Sequence, residues 1–355
     1  MPTQIMKKLI NKKKTKKKHL QKTSGIKPNN RRKTYKMETS WSKLKNWVNQ
    51  EEMYVFSGCV EEKYPAIKQG LLNIGELFGH KMHTYSNQSC CSGPLTKMGL
   101  GNKHSLSSYT QANLDLRRYN EQIMITSCNG CYSYMIKSNR LKTDVDSYIS
   151  DDSDSAKINN FPLLLHSIEY ISMWAEEIRL KVKYPIKGLK FVSQYGCHYL
   201  NQYKLSMEHS FRNLYAEHKK IKGWAYNSIP TYLTDITRPM GAKIVPYSEY
   251  TLCCGGSTPQ RQINLDTAKK VAMKKFDSIH IAEPDAILTI CPLCMYFMED
   301  CQLYPELTER YDRKIPIIHI NELLSLMLGN DQIINQIIKS HKINIEEFVD
   351  TIIID

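Results

Sequence analysis

The strongest constraint on this chain is a cysteine pattern that occurs twice. A single cysteine, Cys59 or Cys197, follows a glycine at the end of an apolar, β-rich run. An adjacent pair comes next, Cys90-Cys91 or Cys253-Cys254, and then a C-x-x-C, Cys128 to Cys131 or Cys291 to Cys294. In both copies the C-x-x-C begins 37 residues after the second cysteine of the pair. Equal offsets in two halves indicate an internal repeat.

The segments between the cysteines repeat as well. Apolar runs Met53 to Ser57 and Leu189 to Tyr195 read as strands ending in Gly58-Cys59 and Gly196-Cys197. Helical periodicity over Ala66 to Leu77, Ser105 to Asn120 and Leu265 to Ile281 separates them from short strands at Ile123 to Thr126 and Ala286 to Ile290, each running into C-x-x-C. Strands alternating with helices predict an α/β fold of two pseudo-symmetric, Rossmann-like halves. Each half has a small parallel sheet, with its cysteines at the carboxyl ends of strands facing a shared cleft. The expected organisation is a basic, disordered extension over 1–52, a first cysteine-rich domain over 53–150, and a connecting loop and helix over 151–185. A second cysteine-rich domain over 186–328 and a helical tail over 329–355 complete it. Within the connection, Ser147 to Ser155 reads as a loop and Leu163 to Leu180 as a bridging helix; Ile315 to Ile320 reads as a last strand, with Asn321 capping the helix that follows.

Charge is confined to one end. Of 49 basic residues, 12 Lys and 2 Arg lie in residues 1 to 36, which carry no acid, and removing them leaves 35 basic against 35 acidic. So lysine-rich a stretch buries too little to order itself, and it lacks the apolar core of a signal peptide. Met53 would itself serve as an N-terminus for the fold. A polyanion-binding arm is the functional alternative, but the neutral body argues against nucleic acid as a partner. No run is long and apolar enough to span a membrane, so a cytoplasmic, reducing compartment is expected, where 11 cysteines serve metal or redox chemistry rather than scaffolding.

Five cysteines per half, two of them adjacent, exceed the four ligands of a structural zinc. A metal-free dithiol explains C-x-x-C but neither the adjacent pairs nor the repeat. Iron–sulfur chemistry, built on thiolates, accommodates both. At these residues the chain resembles the cysteine-rich CCG domain family over roughly 53 to 328. Within it, Ser57-Gly58-Cys59, Cys128-Asn129-Gly130-Cys131-Tyr132, Tyr195-Gly196-Cys197-His198 and Cys291-Pro292-Leu293-Cys294 are most similar to the B subunits of CoB-CoM heterodisulfide reductases.

That resemblance implies two noncubane 4Fe-4S clusters, one held by Cys59, Cys90, Cys91, Cys128 and Cys131 and the other by Cys197, Cys253, Cys254, Cys291 and Cys294. It implies an oxidoreductase of methanogenesis-type energy metabolism that reduces a small-molecule disulfide to two thiols in one-electron steps. Its partners in such a heterodisulfide reductase-like complex would be a ferredoxin-like protein and a flavoprotein, since the chain lacks the cysteine run of a ferredoxin. Alternatives are an electron-transfer component of a thiol:fumarate or succinate reductase or of a lactate or glycolate oxidase, and a zinc-stabilised nucleic-acid-binding protein. His198 is the candidate proton donor, with a supporting hydrogen bond to a sulfur as its other role. Tyr132 and Tyr195 are expected to line the cleft, and Cys301 reads as a buried structural cysteine. The second half is longer: 55 residues separate Cys197 from Cys253, against 30 between Cys59 and Cys90. The excess, placed within Leu205 to Tyr232 and carrying His218-Lys219-Lys220-Ile221-Lys222, reads as an insertion that docks a partner or reshapes the cleft, or equally as a surface elaboration.

Overall fold

A computed structural model describes residues 45–119, 121–138, 162–186, 188–208 and 230–353. The lysine-rich stretch, Ser147 to Ser155 and the basic stretch around Lys219 lie outside the described residues.

Two four-stranded sheets form the frame. The strands are β1 Met53–Phe56, β2 Met82–His83, β3 Ile123–Thr126 and β4 Leu163–His166, then β5 Lys190–Gln194, β6 Lys243–Ile244, β7 Ala286–Thr289 and β8 Ile317–His319. The sheet orders are β2-β1-β3-β4 and β6-β5-β7-β8, and every pairing is parallel. Matching orders in two sheets make the halves pseudo-symmetric, as the cysteine spacing implied. β1, β3 and β7 are buried at every position, which is why they read as continuous apolar runs rather than alternating ones.

Two elements differ from the sequence-based expectation. Leu163 to His166, expected to open a helix, is instead β4, paired in register with β3. Three leucines followed directly by helical residues do not reveal where the period changes, and tertiary pairing decides it. The helices Ser167–Met173 and Ala175–Lys181 follow. Asn321 does not cap the last helix of the repeat. His319 does, in a capping box with Glu322, and His166 with Glu169 forms the same box after β4. The repeat therefore extends to two H-x-x-E helix starts that the cysteines do not mark.

The halves are joined by helices. Helix Ile320–Met327, buried along its whole length, packs on helix Pro65–Leu77 from the other half. Gly70 permits this approach, because a Cβ there would lie 2.5 Å from the Asn321 carbonyl oxygen. The Asn321 side-chain amide donates to the Ile67 carbonyl at 3.1 Å and to Ser127 Oγ at 2.9 Å. Residues 331–353, featureless as chemistry, bury Ile333, Ile337, Phe348, Val349 and Ile352. They also place His341 against Glu299 at 2.6 Å, and Tyr64 donates to the same carboxylate at 2.6 Å. Ahead of Met53, helix 45–50 buries Val48 in the core and pairs Lys45 with Glu177, so structured chain precedes the expected start of the fold.

Candidate functional site

The cysteines gather at the carboxyl ends of the strands. Cys59 and Cys197 stand just past β1 and β5, and the two C-x-x-C motifs begin just past β3 and β7. The placement is the same in both halves, down to the backbone: the Cys128 N–H donates to Thr126 Oγ1 at 3.4 Å and the Cys291 N–H to Thr289 Oγ1 at 3.2 Å. The second cysteine of each motif lies in the first turn of a helix, 129–138 or Pro292–Cys301, where free backbone N–H groups favour negative sulfur.

The ten proposed site cysteines form one line in which each thiol is near enough to shift the ionisation of the next, and Cys197 Sγ donates a hydrogen bond to Cys253 Sγ. In the first half the line runs Cys59, Cys90, Cys91, Cys131, Cys128. It crosses between the halves through Cys128 and Cys291. It continues Cys294, Cys254, Cys253, Cys197, the reverse of the first half. The last pair is 3.7 Å apart. The central pair relates the two arms as a pseudo-twofold axis would. Proton sharing along the line lowers the first member of each adjacent pair, Cys90 to about 3 and Cys253 to about 2. The adjoining thiols, Cys59 and Cys197 foremost, cause this lowering. Cys59 and Cys197, as the donating partners, are raised.

All eleven cysteines are free thiols. Cys301 is fully buried at the end of helix Pro292–Cys301, as expected for a structural residue. Among the described residues, no three or more His, Cys, Asp or Glu side chains are grouped to hold a single metal ion. Thiols strung along a line do not make the closed tetrahedron that a structural zinc requires. A multi-iron cluster is ligated at separate iron atoms, so its thiolates need not converge on one point, and this donor set fits such a group.

A cavity with about 330 Å³ of empty space, part of it open solvent, opens onto the line. Its walls include Cys197, Cys253, Cys254 and Cys294 from the second half and Asn129 and Gly130 from the first. Gly196 shapes this floor with φ +76°; a Cβ there would lie 2.6 Å from Asn129 Nδ2 and 3.1 Å from Cys294 Sγ. That Asn129 amide donates to the Tyr195 carbonyl at 2.5 Å, fastening the halves beside the sulfurs. His198 lines the cavity with Nδ1 3.7 Å from Cys197 Sγ, and burial followed by the nearby Lys97 charge lowers it to about 4, so the ring is neutral at pH 7.

The expected cleft tyrosines are elsewhere. Tyr132 is buried and donates to the Glu169 carboxylate, which also accepts from Tyr199. Tyr195 is buried, its hydroxyl accepting from the Leu233 N–H at 2.8 Å. Tyr132 serves the core because helix Ser167–Met173 brings a buried carboxylate behind the C-x-x-C, and Tyr195 because helix Tyr232–Thr237 packs over it. Sequence reasoning missed Glu61, Lys97, Gln194 and Lys275. Buried Glu61 accepts from the Gly58 N–H at 3.0 Å, and burial, then the Cys128 thiolate, raises its carboxyl to about 8. Lys97 Nζ donates to Ser257 Oγ across the halves at 3.3 Å. No spacing rule links these residues to the cysteines; their only signal is a charged or amide side chain in an otherwise apolar setting.

The fold and this floor define a duplicated α/β protein with a thiol-lined cleft. A family model described as "Cysteine-rich domain" (CCG) matches residues 53–136 and 191–299, and the chain belongs to that family. Among curated proteins it is 25% identical, over 79% of its own length and 93% of the relative's, to the membrane anchor of the 8-methylmenaquinol:fumarate reductase of Wolinella succinogenes. It is 25% identical, over 78% and 89%, to the B subunit of the ferredoxin:CoB-CoM heterodisulfide reductase of Methanosarcina mazei. It is also 22% identical, over 78% and 46%, to the B subunit of the fumarate reductase (CoM/CoB) of Methanothermobacter marburgensis. A crystal structure of a hypothetical protein from Helicobacter pylori shares the fold at a TM-score of 0.55 and 11% identity, covering 90% of this chain and 58% of that one. Among the described residues no helix is long and apolar enough to cross a membrane.

Proposed function

We propose that this chain is the iron–sulfur component of a multi-protein redox complex and that it reduces a small-molecule disulfide to two thiols. The observation that carries this reading is the unbroken line of ten thiols through the junction of the halves. Cys59, Cys90, Cys91, Cys128 and Cys131 hold one noncubane 4Fe-4S cluster, and Cys197, Cys253, Cys254, Cys291 and Cys294 hold the other. Bound iron–sulfur clusters supply electrons one at a time and offer iron sites with affinity for sulfur.

The residues around them do the rest. The Gly255 and Gly256 N–H groups donate to Cys253 and Cys254 sulfurs at 3.4 and 3.3 Å, stabilising them as thiolates. The cavity opens beside Cys291, with second-half sulfurs and Asn129 and Gly130 of the first half in its wall, and the small-molecule disulfide would approach there. Lys97, and Lys137 on the exposed face of helix 129–138, give the mouth a positive field that favours an anionic disulfide. His198, neutral beside Cys197, can relay a solvent proton to a departing thiolate, taking one up on one ring nitrogen as it gives one from the other. The balance is one disulfide, two electrons and two protons giving two thiols, with the electrons supplied by a ferredoxin-like partner fed by a flavoprotein. Anaerobic assay of the cluster-loaded chain with CoM-S-S-CoB and a one-electron donor should release two thiols per disulfide. A chain with full iron and sulfide that releases none would contradict the reading.

The relative from Wolinella succinogenes, matched over 93% of its length, favours a second reading, in which the chain passes electrons within a quinol:fumarate reductase. In that case a flavoprotein partner would restore fumarate-dependent oxidation of the reduced clusters, with no thiol formed.

A further inference from the structure

The ends of β1 and β5 occupy the same place, since Phe56 pairs with Thr126 as Gln194 pairs with Thr289. Behind the sulfurs, though, the halves differ. Gln194 is fully buried and donates from Nε2 to Cys294 Sγ at 3.7 Å. Its Oε1 accepts from Lys275 Nζ at 3.0 Å and from the Tyr247 hydroxyl at 3.0 Å. Two donors on the oxygen fix which way the amide points and leave its N–H groups for the sulfur. Lys275, also fully buried, donates further to the Glu249 carbonyl at 2.6 Å. Burial lowers it to about 8, so the ammonium persists at neutral pH.

Among the described residues the first half has no such arrangement. Phe56 cannot donate, and sixteen residues before Cys128, where Lys275 precedes Cys291, stands the exposed Ala112. The buried ionisable groups near Cys128 include the Glu61 carboxyl, which adds no positive charge in either protonation state, and the His166 and His319 rings, both of which burial lowers, His166 to about 3. A reduced cluster carries one more negative charge than an oxidised one, so a fixed cation and an N–H donor on a ligating sulfur stabilise the reduced form.

We propose, on the iron–sulfur reading above, that Lys275 and Gln194 are positioning residues that make the second-half cluster the higher-potential of the two. An electron delivered to either half by a one-electron donor comes to rest beside Cys294. The transfer between halves moves one electron and makes or breaks no bond. The second half is thereby the electron-holding side of the cleft, which is also the side where most of the cavity wall lies.

Potentiometric titration of the reconstituted full chain with dithionite, followed by electron paramagnetic resonance, reads the two midpoints separately. Wild type should show two distinct midpoints. Lys275→Met should lower the higher one by the equivalent of about tenfold in the reduction equilibrium, about 59 mV for one electron, and leave the lower one in place. Gln194→Met, which keeps the lysine and removes the N–H donor, should move the same midpoint in the same direction by less, and it decides the matter if the Lys275 variant does not fold. Iron and sulfide are measured on the same samples. Full content with unmoved midpoints, or a shift confined to the lower midpoint, overturns the role of Lys275 and Gln194; absence of iron and sulfide overturns the iron–sulfur reading itself.

Discussion

Strand β1 ends on Phe56 and strand β5 on Gln194, although both pair with a threonine and both lead through glycine into a cysteine. The sulfurs and their immediate supports are duplicated: the lone cysteine, the adjacent pair, the C-x-x-C and the threonine behind it. What stands one step back is not duplicated, with an apolar ring and a buried carboxyl in one half and an amide, a phenol and an ammonium in the other. Duplication thus preserved the geometry of sulfur placement, and divergence fell on the surrounding charge, which tunes such a site without dismantling it.

The sharpest way to break that comparison is to cut the thiol line at its centre. Cys128→Ser and Cys291→Ser occupy equivalent places, so each should cost its own half a cluster, about four iron and four sulfide, and leave the other half loaded. Metal and sulfide analysis checks this; loss of everything in either variant would mean that the halves do not load independently.

The glycines before the lone cysteines should differ more than their sequence suggests. Gly196→Ala meets Asn129 at 2.6 Å in a left-handed backbone conformation, whereas Gly58→Ala meets Cys128 Cβ at 3.0 Å with no positive φ. The expected losses are about 2–4 kcal/mol for the former and about 1 kcal/mol for the latter, read from denaturant midpoints.

Exchanging the strand ends sharpens the contrast in energy. Phe56→Gln buries an amide that lacks the Lys275–Tyr247 pair of donors, and Gln194→Phe deprives Lys275 of an acceptor. Each should destabilise by roughly 1–3 kcal/mol in thermal unfolding.

A pH-dependent effect concerns a joint common to both halves. Burial alone would lower His341, but Glu322 and Glu299 raise it to about 10. The folded chain therefore holds this proton where the unfolded chain, with a histidine near 6.5, releases it. The stabilisation is complete below about pH 6.5 and is lost as pH rises through about 10. His341→Gln should flatten the fall in unfolding midpoint between about pH 7 and 10.

The duplicated part of this structure was legible in the sequence, because cysteine spacing and apolar strand runs are local signals. The ten cysteines, the parallel α/β halves and most strand positions follow from them. Strand β4 was not legible: Leu163 to His166 is too short to show a period, and only its pairing with β3 distinguishes it from the helix it precedes. Tyr132 and Tyr195 sit beside cysteines in sequence but turn to Glu169 and Leu233, partners that only the fold brings near. Lys275 and Gln194 lie 81 residues apart and meet behind Cys294, a convergence that no one-dimensional pattern records.

On the proposed reading the thiol line holds two multi-iron clusters rather than isolated metal ions. Anaerobic reconstitution of the full chain, with iron, acid-labile sulfide and zinc measured per polypeptide, tests it most directly. About eight iron and eight sulfide are expected; about two zinc without sulfide would contradict it.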